Sequence, residues 1–245
     1  MKIIILAAGQ GVRLRPLTDT KPKCMVEYNG KSIIDYLLET IKECSIDDIS
    51  IVNGYKKEVL ESHLSNEKLS FYTNESYFKT NMVNTLFCAK EAMNDDVIIS
   101  YSDIIYKKEV LEKLLKSNED FSVVIDKKWK ELWEQRMENP LNDAETLKIK
   151  NGNIVELGKK PKSYDEIAGQ YIGLIKISKA AINKIISFYE SLDKAAMYDG
   201  KDFDNMYMTS FIQNIIDKLL NVKPVYIEGG WLEIDSLEDL QSYPV

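Results

Sequence analysis

The chain is poor in the residues on which much enzyme chemistry relies. Among 245 residues there is one histidine, His63, beside Glu61 and Ser62 on a polar helical stretch, so it reads as an exposed surface group and no serine or cysteine triad can be built around it. The three cysteines, Cys24, Cys44 and Cys88, are odd in number and lack the close pairing of a zinc site, which favours reduced thiols in a cytoplasmic setting over disulfides. No apolar run approaches 18 residues, which argues against a membrane span. Nor is there a basic excess: a formal charge of −7 argues against a protein that coats nucleic acid, which needs a basic face, although single nucleotides can still bind locally. Repeats, low-complexity tracts and long linkers are absent too. Met1-Lys2 leads straight into an apolar strand, without the small-residue cleavage site of a signal peptide.

Two familiar phosphate-binding motifs are also missing. A P-loop requires Gly-Lys-Ser/Thr five residues after its first glycine, and nothing at that distance from Gly9 supplies it. The dinucleotide fingerprint fails because its third glycine would fall on Leu14, and Pro16 then prevents an immediate long helix.

What is present is an apolar run, Ile3-Ile4-Ile5-Leu6, that reads as a strand buried on both faces of a parallel sheet. It feeds into Ala7, Ala8, Gly9 and Gly11, whose small side chains let backbone N–H groups line a concavity for phosphate oxygens. Arg13 and Lys23 supply cations, the first as a planar fork and the second as a mobile point charge. Cys24, next to Lys23, reads as a small packing residue rather than a nucleophile.

Strand and helix patterns then alternate. A helical stripe runs from Ser32 to Glu43, a strand from Asp48 to Asn53, a short helix from Lys56 to Leu64, and strands over Leu69 to Thr73 and Val97 to Tyr101 flank a helix from Asn84 to Met93. A helix over Lys107 to Lys116 and an apolar run over Phe121 to Ile125 follow. The Asn151-Gly152 pair marks a hairpin between Thr146–Lys150 and Asn153–Leu157. Gln170 to Ile177 is a further strand, helices cover Lys179 to Leu192 and Asn205 to Leu220, and Val222 to Ile227 with Trp231 to Ile234 end the sheet. The expected architecture is α/β: a Rossmann-like, mixed but mostly parallel sheet flanked by helices, with a small hairpin and helical insertion on one side. One domain is expected over 1–245, with 1–125 as its nucleotide-binding half and 126–245 completing the metal site and holding the acceptor.

Two acidic stretches stand out. Asp103, after Ser102, lies just past the carboxyl end of a buried strand, where open α/β sheets bind ligands, although it could also cap the turn before the next helix. Glu233 and Asp235 fall on one side of a strand by its period of two and could face one cation. Asp235 also begins an Asp-x-x-Glu pattern with Glu238 that would cap the terminal helix.

The run from Leu6 through Thr18, with Pro22-Lys23, resembles the signature of nucleotidyltransferases that join a nucleoside triphosphate to a phosphorylated small molecule, the sugar-phosphate enzymes among them. That resemblance implies the nucleotide-diphospho-sugar transferase fold, Arg13 on the departing pyrophosphate, Lys23 at the α-phosphate, and magnesium as cofactor, held by Asp103 and Asp235 with Glu233 nearby. The sugar enzymes' Glu-Lys-Pro appears here as Lys159-Lys160-Pro161, so sugar selectivity is unsupported. Glu233-Ile234-Asp235 and Asn205-Met206 look more like the phosphocholine cytidylyltransferase branch, which implies CTP, with Leu6, Ala7, Ala8, Gly9, Gly54, Tyr55, Thr80, Asn81, Met82 and Ser102 around the nucleotide. No aromatic and acidic cage for a quaternary ammonium is evident from local residues.

Longer segments, among them Asp126-Lys127-Lys128-Trp129, Asn139-Pro140-Leu141 and Asn205 to Phe211, are similar to the phosphoglutamine cytidylyltransferases of campylobacter capsule phosphoramidate synthesis. That similarity implies transfer of CMP from CTP to L-glutamine phosphate, giving CDP-L-glutamine and pyrophosphate, with Lys127, Lys128, Glu156, Lys159, Lys160 and Tyr171 as acceptor contacts. The alternatives are phosphocholine or sugar-1-phosphate as acceptor and, outside the enzymes, a nucleotide sensor. A monomer or a dimer is expected, partnered by CTP and the acceptor, with neither nucleic acid nor membrane.

Overall fold

The computed structural model describes residues 1–242. In chain order its strands are β1 (Lys2–Ala7), β2 (Glu27–Tyr28), β3 (Lys31–Ser32), β4 (Ile49–Asn53), β5 (Ser70–Thr73), β6 (Val97–Tyr101), β7 (Ile104–Tyr106), β8 (Phe121–Asp126), β9 (Leu147–Lys150), β10 (Asn153–Leu157), β11 (Gln170–Ile177), β12 (Lys223–Ile227) and β13 (Trp231–Glu233). The helices are α1 (Ile33–Glu43), α2 (Lys57–His63), α3 (Met82–Cys88), α4 (Lys108–Leu115), α5 (Trp129–Arg136), α6 (Lys179–Ser191), α7 (Met208–Lys218) and α8 (Leu237–Ser242).

Seven strands form the central sheet in the order β12-β8-β11-β6-β1-β4-β5. All neighbouring pairs are parallel except those made by β11, which runs antiparallel to both β6 and β8. This is the mixed, mostly parallel sheet expected. Alternate residues of each strand feed opposite layers, as a period of two requires. Ile4, Leu6, Val52, Ile99, Val123 and Ile175 face the layer built by α3, α6 and α7. Ile3, Ile5, Ile51, Ile98, Val124 and Leu174 face α1, α2, α4 and α5. Ile3, Ile4 and Ile5 are fully buried, which explains why β1 is an unbroken branched apolar run rather than an alternating one.

The order of β1, β6 and β4 brings the carboxyl ends of three parallel strands together, and the loops that leave those ends carry the site. The hairpin turns at Asn151 and Gly152, both with positive φ as a two-residue turn demands. Several boundaries differ from the sequence reading. Helix α3 begins at Met82, capped by the Asn81 side chain, and breaks after Cys88 into a single 3₁₀ turn; α7 begins at Met208. The segment Trp231–Glu233 does not join the main sheet: it pairs antiparallel with β7, which the sequence reading did not isolate because three residues carry no periodicity. His63 is exposed, and its Nε2 lies 2.9 Å from the Asp35 carboxylate on α1.

Strand β11 carries an irregularity between Tyr171 and Ile175, where its register against β8 shifts. Gly173 occupies that bulge at φ +84, and a Cβ there would lie 2.4 Å from the Tyr101 ring. A bulge re-aims the side chains beside it, here Tyr171. Gly173→Ala is expected to destabilise the fold by about 1–3 kcal/mol, from forced contact and positive φ together, read as a lower urea midpoint at unchanged slope.

Candidate active site

The loop after β1 is shaped by one close approach. Gly11 sits at φ +61, and a Cβ on it would lie 2.8 Å from the Lys23 Cβ, so only glycine lets the Lys23 segment cross behind the loop. The Thr18 hydroxyl donates to the Gly11 carbonyl at 2.8 Å, and buried Leu14 anchors the turn that carries Arg13. Arg13 itself remains largely solvent-exposed and reaches the Asp235 carboxylate.

Lys23 is buried and its Nζ donates to Asp103 Oδ2 and Asp235 Oδ1, both at 2.6 Å. Burial opposes the charge, but the two carboxylates outweigh it and hold the ammonium above its ordinary proton affinity. The other Asp103 oxygen, Oδ1, is buried without a hydrogen-bond partner. Neither acidic residue is spent on a cap. Helix α4 takes Lys107 as its N-cap, without a side-chain bond. At α8 the cap belongs to neighbours of Asp235: Asp239 accepts from the backbone N–H groups of Asp235 and Ser236, and Ser236 Oγ accepts from the Asp239 N–H. The Asp-x-x-Glu reading with Glu238 therefore gives way to Ser236-x-x-Asp239, shifted by one residue, and the Asp235 side chain stays turned to Lys23.

Glu233 takes a different partner from the two aspartates. Arg136 of α5, itself buried, holds Glu233 at 2.6 Å and Asp239 at 2.7 Å. Among the described residues no group of three acidic, histidine or cysteine side chains is arranged to hold a metal ion. Asp103 and Asp235 form the oxygen pair, with Glu233 beside them in the same cleft. An orphaned carboxylate oxygen next to a second carboxylate suits a hard divalent cation that keeps waters and phosphate oxygens for its other positions.

The cleft around this centre has a volume of about 380 Å³. Leu6, Ala8, Gly9, Gly11, Arg13, Lys23, Thr80, Asn81, Met82 and Ser102 line it, together with the three acidic residues. Tyr77, Thr85 and Tyr101 line it as well, without having been singled out in the sequence. Ala7, Gly54 and Tyr55 do not line it. Ala7 is the buried end of β1, Gly54 packs against Ala8, and Tyr55 donates its N–H to the Ala8 carbonyl and its hydroxyl to the Thr18 carbonyl, so the pair braces the loop from behind. Cys24 is fully buried, and burial pushes its thiol up to about 12, which suits packing and not nucleophilic attack.

A second chamber of about 500 Å³ adjoins the first and shares Arg13, Asn81, Met82, Tyr101, Glu233 and Asp235 with it. Of the six residues expected at the acceptor, it contains Tyr171. The other five lie elsewhere. Glu156 bridges Lys148 and Lys159 on the hairpin, Lys160 Nζ donates to the Leu141 and Asn142 carbonyls, Lys127 lies over the Tyr226 ring, and Lys128 gives its backbone N–H to Asp126. The charges of Glu156, Lys159 and Lys160 are met locally, by partners that sequence spacing does not reveal.

The chamber is walled instead by Trp133, Trp231, Tyr207, Gln170 and Glu145, so an aromatic and acidic surface does exist. Local sequence does not reveal it because its members come from five separate segments. Gln170 clamps the Glu145 backbone from both sides, accepting from its N–H at 2.9 Å and donating to its carbonyl at 2.6 Å. Burial pushes the Glu145 carboxyl up to about 7, with like charge on Asp143 and Asp199 adding to the effect and a hydrogen bond from Thr209 opposing it.

Nucleotide-binding loop, paired aspartates and adjoining chamber define a nucleotidyl-transferring site, and the comparisons agree. Residues 2–135 match the Nucleotidyl transferase family, to which this chain belongs. It is 51% identical to the CTP:phosphoglutamine cytidylyltransferase of Campylobacter jejuni, across 98% of both chains. It is 30% identical to the choline-phosphate cytidylyltransferase of Streptococcus pneumoniae, over 98% of this chain and 95% of the other. The solved CTP:phosphocholine cytidylyltransferase of S. pneumoniae superposes with a TM-score of 0.72 at 25% identity, over 98% of this chain and 96% of the other. No described helix is long and apolar enough to cross a membrane.

The Glu145 carboxyl yields a test independent of activity. A carboxyl with a raised folded-state pKa keeps its proton until about pH 7, whereas the unfolded chain releases it near 4.5, so folding loses stability as pH rises between those values. Glu145→Gln removes the effect. The variant should gain on the wild type by up to about 3 kcal/mol between pH 4.5 and 8, at about 1.4 kcal/mol per tenfold change in proton affinity, measured by urea unfolding of the ligand-free protein.

Proposed function

We propose that this chain is a magnesium-dependent cytidylyltransferase that transfers CMP from CTP to phosphoglutamine, releasing pyrophosphate. The observation that carries the reading is the 51% identity spanning 98% of both chains to an enzyme of that name. The paired aspartates around Lys23 support the chemistry.

The new bond joins an oxygen of the acceptor's phosphate to the α-phosphorus of CTP, and the bond to the β-phosphate oxygen breaks with its electron pair leaving on pyrophosphate. The attacking phosphate is already anionic, so no side chain need remove a proton, in keeping with the lack of a histidine near the centre. Rate then comes from alignment and from neutralising charge on the five-coordinate phosphorus. Magnesium, when bound, supplies charge neutralisation to the triphosphate, and Asp103 and Asp235 are the residues that would hold it. Lys23, released from those carboxylates as the nucleotide enters, is placed to bond α-phosphate oxygens. Arg13, on its exposed turn, can leave Asp235 for the departing pyrophosphate with a forked pair of hydrogen bonds. The loop from Ala8 to Gly11 supplies backbone N–H groups, and Thr80, Asn81 and Met82 flank the space for the pyrimidine.

The second chamber, open to Asp235, is the acceptor's side. Its aromatic walls and carboxylates also give phosphocholine a specific claim as second reading, and the two acceptors separate by experiment. With CTP and magnesium, pyrophosphate release should be greatest with phosphoglutamine; release only with phosphocholine or a hexose phosphate would replace the acceptor assignment. Asp103→Ala and Asp235→Ala should each lower turnover on the order of a thousandfold, roughly 4 kcal/mol of transition-state stabilisation, with the circular dichroism spectrum retained. Chelation should abolish turnover, and added magnesium restore it.

A further inference from the structure

The second chamber contains a carboxylate with no cation. No ion pair engages Glu145 among the described residues, its charged neighbours Asp143 and Asp199 are of the same sign, and its backbone is held by Gln170 so that the side chain is presented from a rigid frame. Beside it the Tyr171 hydroxyl is buried without a hydrogen-bond partner, held in the chamber wall by the β11 bulge. The two indole N–H groups of the wall are already spent, Trp133 on Asp143 at 3.0 Å and Trp231 on Asp126 at 2.8 Å, which leaves their apolar surfaces to the ligand. Arg13, the one cation lining the chamber among the described residues, is shared with the first cleft and is engaged by Asp235.

We propose that Glu145 receives the ammonium group of the acceptor, with the Tyr171 hydroxyl as a further hydrogen-bond partner, so that the phosphate at the acceptor's other end is delivered to Lys23 and Asp235. This assignment rests on reading the acceptor as a phosphorylated amino acid. A buried carboxylate among like charges is costly in the empty pocket, and it becomes favourable once a cation desolvates against it. The ammonium supplies a charge opposing the burial and the like charges that push this carboxyl up to about 7. Sugar phosphates without an amino group bring no cation to this position, and an acceptor bearing only a carboxylate would be repelled from it. Glu145 is thus a specificity residue, and the phosphoryl chemistry lies at the opposite end of the acceptor.

The test compares two acceptors in the wild type and in Glu145→Gln at saturating CTP and magnesium: phosphoglutamine, and the same molecule with hydrogen in place of the ammonium group. The wild type should favour phosphoglutamine in kcat/KM by about ten- to a hundredfold, the range of a charge-assisted hydrogen bond. In Glu145→Gln that preference should collapse through a raised KM for phosphoglutamine, with the KM for CTP unchanged, while Glu145→Asp, which keeps the charge, should retain part of it. Transfer with an undiminished preference in Glu145→Gln overturns the assignment of Glu145 alone. Absence of transfer to either acceptor by the wild type overturns the phosphoglutamine reading and this assignment with it.

Discussion

The Lys23 ammonium between Asp103 and Asp235 is the contact on which the arrangement of the site depends. It joins residues 80 and 212 positions apart in the chain, at 2.6 Å each, inside a partly buried cleft. Two carboxylates this near each other would repel strongly without a cation, and a buried ammonium would lose its proton without carboxylates, so neither half is stable alone. Sheet order makes the meeting possible: Asp103 follows the end of β6, the neighbour of β1, and β1 opens the loop that returns at Lys23. Asp235 arrives from a short ribbon, β13 on β7, that lies outside the main sheet and next to Asp103. The Ile234 N–H donates to the Asp103 carbonyl at 2.8 Å, so the two carboxylates are tied through the backbone as well as through Lys23.

A second layer of charge keeps the third segment in place. Arg136 is 5% exposed and spans Glu233 and Asp239, and Asp239 in turn accepts the Asp235 and Ser236 N–H groups. Breaking a buried network of this kind by removing one partner typically costs 3–5 kcal/mol, because it strands the remaining charges. One cap therefore serves two purposes: it starts α8, and it leaves the Asp235 carboxylate free to face the cleft. The same network ties α5 to the segment that carries Asp235, and α5 also carries Trp133 into the second chamber. The wall of that chamber and the aspartate pair are thus connected through one helix.

The nucleotide half was legible in the sequence and much of the acceptor half was not, for physical reasons. A phosphate cradle has to be contiguous, because backbone N–H groups converge only when small residues follow one another. Gly9, Gly11, Arg13 and Lys23 therefore appear as a local pattern, and the strand before them announces itself by its unbroken apolar run. The second chamber draws Trp133, Glu145, Gln170 with Tyr171, and Trp231 from four separate segments, and each alone looks like ordinary packing or surface. Lys159 and Lys160, which the family resemblance implied as acceptor contacts, bond to Glu156 and to the Leu141 and Asn142 carbonyls. Gly54 and Tyr55 lie behind the cleft and contact Ala8 from there.

The two chambers divide the problem of recognition along the same line. On the proposed nucleotide side the cleft offers backbone groups and two cations, Arg13 and Lys23, which suit phosphate, a feature common to any nucleoside triphosphate. On the acceptor side the phosphate is again read by the shared centre, so selectivity has to come from whatever lies beyond it. A wall of indole and phenol rings offers no sign of charge, and Glu145 supplies one. Because Glu145 has no cationic partner among the described residues and only the Thr209 hydrogen bond to offset its burial, its cost is borne until the acceptor binds, and an acceptor without a cation cannot relieve it. The position that weakens the empty fold is therefore the one best able to discriminate among acceptors that share the same reactive phosphate.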